Sequence, residues 1–456
     1  MKQKKSLFTV YRYLNLMLLF FCSSSLAYSQ NSESQSFTVQ QAIDYAIKNN
    51  VNIKNADLQT EIAQARINEL IGIGLPQVRA TADLNDFLEI PTQFIPGEFF
   101  EGEPGTFIPV QFGQQYSASA GLSATQLLFD GTYIVGLQAS KTYVELSRKS
   151  ATQTKIETAV NVSKAYYFVL VAEERLKQLN NDIERLDKLK NDTKALFDNG
   201  FVEKIDYDRI ELSYNLVETA RNQTKRVVDN SYNILKFQMG MNINTPISLS
   251  EKISDISVDP ALMSKDSVAA NARIEYSILE TQYKLAGLDL KRYRASRLPS
   301  ISLFGSYSAN ASRNEFNIFN TDYKWYPTSV VGASLSIPIF GGFTINSQVK
   351  QAKLKQLQVE NSFFTVEQSI NLDFKNTLTS LKNNIDKLET QNKNRELARE
   401  IARVSKIKYD QGVGSNLEVI DAESSLREAE TNYYTALLEA IISKIELDKA
   451  AGVIKY

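Results

Sequence analysis

The chain of 456 residues contains no histidine and a single cysteine, Cys22. Without histidine there is no Ser-His-Asp triad, no imidazole metal ligand and no use of the commonest general base. One cysteine cannot build a disulfide framework. Carboxylate chemistry remains open to the 52 acidic residues, but they are spread with 51 basic ones along helical faces, where solvated charge accounts for them. No basic patch marks a nucleic-acid surface. Long apolar runs are equally scarce. The run Leu14 to Phe21 follows Lys2, Lys4, Lys5 and Arg12 and precedes Ser23-Ser24-Ser25-Leu26-Ala27. A basic start, a short apolar core and small residues predict a secretory signal peptide over 1–29, cleaved after Ala27 or Ser29. The run falls short of the roughly 20 apolar residues of a membrane-spanning helix. Cys22 lies inside this segment, and the bulky Phe21 before it argues against a lipoprotein cysteine. Cleavage would remove four positive charges and the only thiol. The expectation is a chain without enzymatic activity, cofactor or metal.

What is present is a long-period repeat. "FDNGFVEKIDYDRIELSYN" (197–215) resembles "YDQGVGSNLEVIDAESSLR" (409–427). Gly200 and Gly412 are 212 residues apart, as are Gly240 and Gly452. "GLPQV" (74–78) pairs with "RLPSI" (297–301), and Phe129 with Phe340. Two tandem units follow, 30–240 and 272–456, joined by a mixed segment, 241–271, that would form a belt at mid-height. Each reads helix, strand, strand, long helix, short turn, helix. The first carries the longer strand connection, rich in Pro, Gly and Phe (89–113).

Helical spacing is that of coiled coils. Ile156, Val160, Ser163, Tyr167 and Leu170 step by four and three, and Leu176, Leu179, Ile183 and Leu186 continue the seam. Leu378, Leu381, Ile385 and Leu388 repeat it, as do Ala422, Leu426, Ala429, Tyr433, Ala436 and Ala440. Such seams bury one stripe and leave the rest polar. Long helices over 131–198 and 342–410 would each span about 100 Å. Shorter ones over 202–240, 415–451, 272–297 and 51–74 would stack end to end along them, with Phe37 to Asn50 serving the other copy.

Four stretches alternate strictly, predicting strands at about 76–87, 115–128, 300–309 and 328–339. Val78, Ala80, Ala82 and Leu84 alternate with Gln77, Arg79, Thr81 and Asp83; Ala118, Ala120 and Leu122 alternate with Ser117, Ser119 and Gly121. Ile301, Leu303 and Tyr307 alternate with serines although Phe304 breaks the pattern, and Val331, Ala333, Leu335, Ile337 and Ile339 alternate with Gly332, Ser334 and Ser336. One apolar and one small polar face over about ten residues suits a transmembrane barrel strand. Aromatics at the strand ends fit interfacial girdles: Phe129 and Phe340 on one side, Phe87, Phe112, Tyr116, Tyr323, Trp325 and Tyr326 on the other. Four strands cannot close a barrel, and an open edge is not tolerated in lipid. Copies must therefore pool strands. Two would make an eight-stranded barrel filled by its own side chains, and three a twelve-stranded one with a passage. At two places a strand runs straight into a long helix: Phe129 to Gly131, and Phe340-Gly341-Gly342.

These features together resemble the TolC-like outer membrane efflux proteins. The resemblance spans the mature chain and rests on "FTVQQAIDYAIKNN", the Leu-Pro strand entries, the strand-to-helix turns and above all "YDQGVGSNLEVIDAESSLREAE" (409–430). It implies an α+β membrane protein: a homotrimer whose twelve-stranded β-barrel in the outer membrane continues as a periplasmic α-helical barrel. It further implies a passive exit duct for a tripartite efflux pump or type I secretion system, working with a periplasmic adaptor (membrane fusion protein) and an inner-membrane pump. The adaptor-contact tips would be Gly200-Phe201-Val202 and Gly412-Val413-Gly414. Residues near the closure would be Lys194, Asp198, Arg403, Lys406, Tyr409 and Asp410, although the family's acidic constriction ring has no unambiguous match here. The competing reading is a periplasmic coiled-coil adaptor or structural protein with small β domains; a soluble helical bundle would leave the strands unexplained.

Overall fold

A computed structural model describes residues 35–100, 103–253, 267–320, 322–454 and 456. Cys22 and the expected signal segment lie outside the described residues. The heptad stripes fold as long helices. The elements are β1 (Gln35–Phe37), α1 (Val39–Asn49), α2 (Val51–Ile73), β2 (Gln77–Asp86), β3 (Thr92–Pro96), β4 (Phe107–Gln111), β5 (Tyr116–Phe129), α3 (Gly131–Asp198), α4 (Lys204–Met239) and β6 (Ile247–Leu249). There follow α5 (Ile274–Ala295), β7 (Ser300–Arg313), β8 (Tyr326–Ser336), α6 (Thr344–Asp410) and α7 (Asn416–Ala450). With 68 and 67 residues, α3 and α6 are each about 100 Å long.

Side by side, the helices run α2–α3–α5–α6 near the sheet and α4–α3–α7–α6 away from it. The short helices meet end to end. Asn50 caps α2 by accepting from the Asn52 N–H at 2.8 Å, and its amide donates to the Gln238 carbonyl at the end of α4 at 2.7 Å. Arg273, just before α5, donates to the Ala450 carbonyl at the end of α7 at 3.0 Å. Each junction thereby satisfies carbonyls that a helix C-terminus leaves without partners. Segment 37–50 does not serve the other copy as expected. β1 pairs in parallel with β6, α1 packs on α3 and α4, and the buried Tyr166 hydroxyl donates to the Phe37 carbonyl at 2.9 Å. Phe37 is large and apolar, and the nearest deep pocket is the one around Tyr166, Leu235 and Met239.

The principal sheet has the order β2-β5-β7-β8, antiparallel throughout, with β2 and β8 at its two edges. Its rows follow the alternation: Asp83, Ser119 and Asn310 share one face, and Ala82, Ala120 and Ala309 the other. Phe304, the exception, stands on the small polar face opposite Gly332. A Cβ at position 332 would lie 2.6 Å from the Phe304 ring, so the glycine makes its room.

The two strand-to-helix seams differ. At the first, β5 ends at Phe129, the Asp130 carboxylate accepts from the Thr132 and Tyr133 N–H groups at 2.7 and 2.9 Å, and α3 begins at Gly131. Gly131 abuts the end of α5, where a Cβ would lie 2.9 Å from Leu298 and 3.0 Å from the Ala295 carbonyl. At the second, the strand expected over 328–339 stops at Ser336 and the helix expected from 342 starts at Thr344. Ser336 pairs with Ser300, the first residue of β7, so residues 337–343 have no ladder partner, and Pro338 has no N–H to offer. Gly342 (φ 58°) and Phe343 (φ 62°) then turn the chain into α6, with the Phe340 and Phe343 rings packed edge to face at 5.6 Å.

Candidate functional site

The end of the helical region farthest from the sheet is formed by two helical hairpins. Both close in the same way. The Gly200 and Phe201 N–H groups donate to the Phe197 and Leu196 carbonyls at 2.9 Å, and those of Gly412 and Val413 to Tyr409 and Lys408, also at 2.9 Å. This is the Schellman arrangement, with glycine in the left-handed region at φ 77° and 74°. The apolar residue after each glycine ordinarily folds back onto its helix. Here Phe201 and Val413 instead point away, 78% and 77% exposed. Val202 is half-buried. Gly414 has a different role, since a Cβ there would lie 2.9 Å from Lys408 Cβ. The hairpins are tied together by the Asn416 amide donating to the Asp206 carbonyl at 2.7 Å, and by a small core of Leu189, Ile210 and Val419.

Of the six residues expected near the closure, Lys194 and Asp198 are exposed at the end of α3. Arg403 pairs with Glu400 at 2.6 Å and Lys406 with Asp410 at 3.1 Å, each a single turn away on α6 itself. Tyr409 does reach across, its hydroxyl 3.3 Å from Thr193 Oγ1 on α3, beside the Leu189–Ile210–Val419 core. Among the described residues, the charged pairs at the tip thus stay within one helix.

A cluster that the sequence did not single out lies further up, where α3, α6 and α7 meet. Arg185 of α3 contacts Asp182 at 2.7 Å and Glu423 of α7 at 3.2 Å. Gln178 donates to Asp182 at 3.2 Å and to Glu430 of α7 at 2.9 Å, and Arg399 of α6 stands 3.6 Å from Glu430. Asp182 and Glu430 are both 4% exposed, and Glu430 Oε2 has no hydrogen-bond partner. Burial, reinforced by the Asp182 charge, raises the Glu430 carboxyl above its ordinary value, and burial, reinforced by Glu423, raises Asp182 despite the adjacent Arg185. The Arg185 guanidinium is raised: desolvation opposes its charge, but the surrounding excess of carboxylates outweighs it. Sequence offered only a weak signal for this site, acidic and basic residues at helical spacing, which a solvated face shows equally.

At its other end the chain offers a sheet that cannot seal itself and an alternation suited to lipid. Among the described residues no helix is long and apolar enough to cross a membrane. Comparison with known proteins agrees. The outer membrane efflux protein family matches residues 277–453. The chain is 22% identical to the outer membrane protein TolC of Vibrio cholerae over 74% of its own length and 77% of the relative's. It is 23% identical to the probable efflux pump outer membrane protein TtgC of Pseudomonas putida, over 91% and 82%. Its fold superposes on the CmeC outer membrane channel of Campylobacter jejuni with a TM-score of 0.71, 16% identity and coverage of 94% and 91%. In sheet, seams, hairpin tips and these likenesses the chain is similar to the outer membrane efflux proteins of the TolC type.

Proposed function

We propose that the protein is the passive exit duct of a tripartite export assembly, in which three copies close a twelve-stranded barrel and a continuous helical tunnel. It is a channel protein of the outer membrane rather than an enzyme, with its helices in the periplasm. The observation that carries the trimer is the open sheet. β2 runs from the helical end outward and β8 runs back, so β8 of one copy can pair antiparallel with β2 of the next, and the ring closes with no parallel pair. The helical edges match it. On α4 the exposed Ile205, Leu212, Leu216, Val227 and Ile234 share one helical face, and on α6, at the opposite edge, Leu397, Ile401, Val404 and Ile407 are exposed. Two different edges make a head-to-tail contact, which closes only as a ring.

Energy and cargo selection would come from an inner-membrane pump, with a periplasmic adaptor docking on Phe201 and Val413 at the tips. The polar strand face carries small residues and few charges, so it discriminates little by itself. Replacing Leu212 and Leu216 together by aspartate tests the assembly. The wild type should need detergent and migrate as a trimer, and the double variant should lose the trimer while its helix content persists. A wild type that is monomeric in mild detergent, or soluble without it, would end this reading.

Closure of the tip would involve Arg403, Asp410 and Tyr409 across copies, because the exposed charges of one copy engage their own helix only weakly. Neutralising Arg403 or Asp410 should then raise single-channel conductance. Unchanged conductance in both would remove them from the gate.

A further inference from the structure

The β2–β5 connection forms a separate hairpin, β3–β4, beyond the outer rim of the sheet. Its register places Phe94 opposite Pro109 and Pro96 opposite Phe107, so that one face is built of two phenylalanines and two prolines. Phe94 is 70% and Phe107 64% exposed. On the other face, Ile95 and Ile108 are partly covered. β3 and β4 pack extensively only with each other, and a two-stranded hairpin alone is marginal in water. Something must therefore cover its aromatic face. The hairpin is also acidic: it carries Glu89, Glu98 and Glu103, and no lysine or arginine occurs between Arg79 and Lys141.

The β7–β8 connection stands at the same rim and also exposes aromatic residues. Its Phe316 ring lies 5.4 Å from Tyr116 and 6.2 Å from Phe319, and Phe316 and Phe319 remain largely exposed. Arg313 stacks over the Tyr323 ring at 5.2 Å and donates to the Lys324 carbonyl at 3.0 Å, holding Lys324 exposed beside the start of β8. Within one chain these two connections adjoin opposite edges of the sheet, because the hairpin follows edge strand β2 and the loop precedes edge strand β8. When β2 of one copy lies beside β8 of the next, the hairpin and the neighbour's loop become adjacent.

We propose that the Phe94–Phe107 face of each hairpin seats on Phe319 and Lys324 of the β7–β8 connection of the neighbouring copy, forming a clasp that locks the outer rim of the ring. The proposal rests on the ring assembly described above. A second copy fits better than a lipid surface, because an acidic hairpin without cations is repelled by anionic headgroups, whereas the neighbour's loop, with Asp322 as well as Lys324, offers the exposed Phe319 at the same rim.

The test uses the full chain with Cys22 replaced by serine and two cysteine pairs, Phe94→Cys with Phe319→Cys and Phe107→Cys with Phe319→Cys. Oxidation of the assembled protein should give covalent dimers and trimers on non-reducing gels with at least one pair, and no covalent trimers with any single variant. A second variant, Phe94→Ser with Phe107→Ser, should assemble but lose heat resistance as a trimer, equally in detergent and in vesicles. Native trimers that give only intrachain bonds or none, together with unchanged heat resistance, overturn the clasp while leaving the ring intact. A heat-resistance loss confined to vesicles assigns the face to lipid and also overturns it. Absence of native trimers in the Cys22→Ser parent overturns both the clasp and the ring.

Discussion

Replacing Arg185 by methionine should loosen the contact between α3 and α7 at neutral pH and leave it nearly intact at mildly acidic pH. The side chain is the shared cation of Asp182 and Glu423, and its removal leaves three carboxylates, with Glu430, facing one another in a site where two of them are almost fully buried. Breaking a buried ion pair from one side costs about 3–5 kcal/mol. Arg185 is 40% exposed, so solvent screening lowers the expectation to about 2 kcal/mol. The readout is amide hydrogen exchange over 178–190 and 420–432, which should accelerate at pH 7.5 and approach the wild-type rate near pH 5.

The sign follows from the direction of the shifts. The Asp182 and Glu430 carboxyls are raised in the folded chain, so it binds protons more tightly than the unfolded chain does. Their contribution is complete below the ordinary carboxylate value and is lost as pH climbs through the raised one. The groups that set this balance are Asp182, Arg185 and the neutral Gln178 on α3, Glu423, Arg427 and Glu430 on α7, and Arg399 on α6. Glu430→Gln should accordingly act opposite to Arg185→Met. It removes the less well partnered charge, slows exchange at pH 7.5 and flattens the pH dependence. Faster exchange in Glu430→Gln at neutral pH would mean that its charge is net favourable there.

Val413→Asp and Phe201→Asp should each abolish export while trimers, membrane insertion and helix content stay as in the wild type. Both side chains already stand in solvent, so the free chain loses little when they become polar. A docking partner, by contrast, would have to desolvate a carboxylate where it expects an apolar knob, a cost of several kcal/mol. The flanking glycines give the control. Gly412→Ala meets no atom within 4 Å and costs only the left-handed backbone term, roughly 1 kcal/mol. It should therefore export normally. Gly414 is unsuitable for the same purpose, because its crowding against Lys408 mixes folding with contact. Normal export in both aspartate variants would take the apolar tip residues out of the partner interface.

The element types were legible in the sequence because they depend on short-range periodicity. Val160 with Ser163, and Leu179 with Leu186, step at helical spacing and are buried on α3, and the Ala-Ser alternation around residues 117–124 is a strand. The first seam was readable from Phe129 to Gly131, and the fold added its cap, the Asp130 carboxylate on the Thr132 and Tyr133 N–H groups. The second seam was not. Its sequence alternates through Ile339, but a strand lasts only as long as its neighbour supplies a ladder, and β7 begins at Ser300.

Sequence alone determined that the chain is built from long amphipathic helices and alternating strands, and that its tips turn on glycine. Both are local consequences of side-chain spacing and backbone freedom. Only the tertiary structure decided which charges matter. Asp182, Arg185, Glu423 and Glu430 look like ordinary solvated residues on their own helices, and they become a buried cluster because α3 packs against a helix more than two hundred residues later. Within one copy the tip charges are paired locally: Arg403 with Glu400 and Lys406 with Asp410, one turn along α6, because residues three and four apart are neighbours on a helix surface.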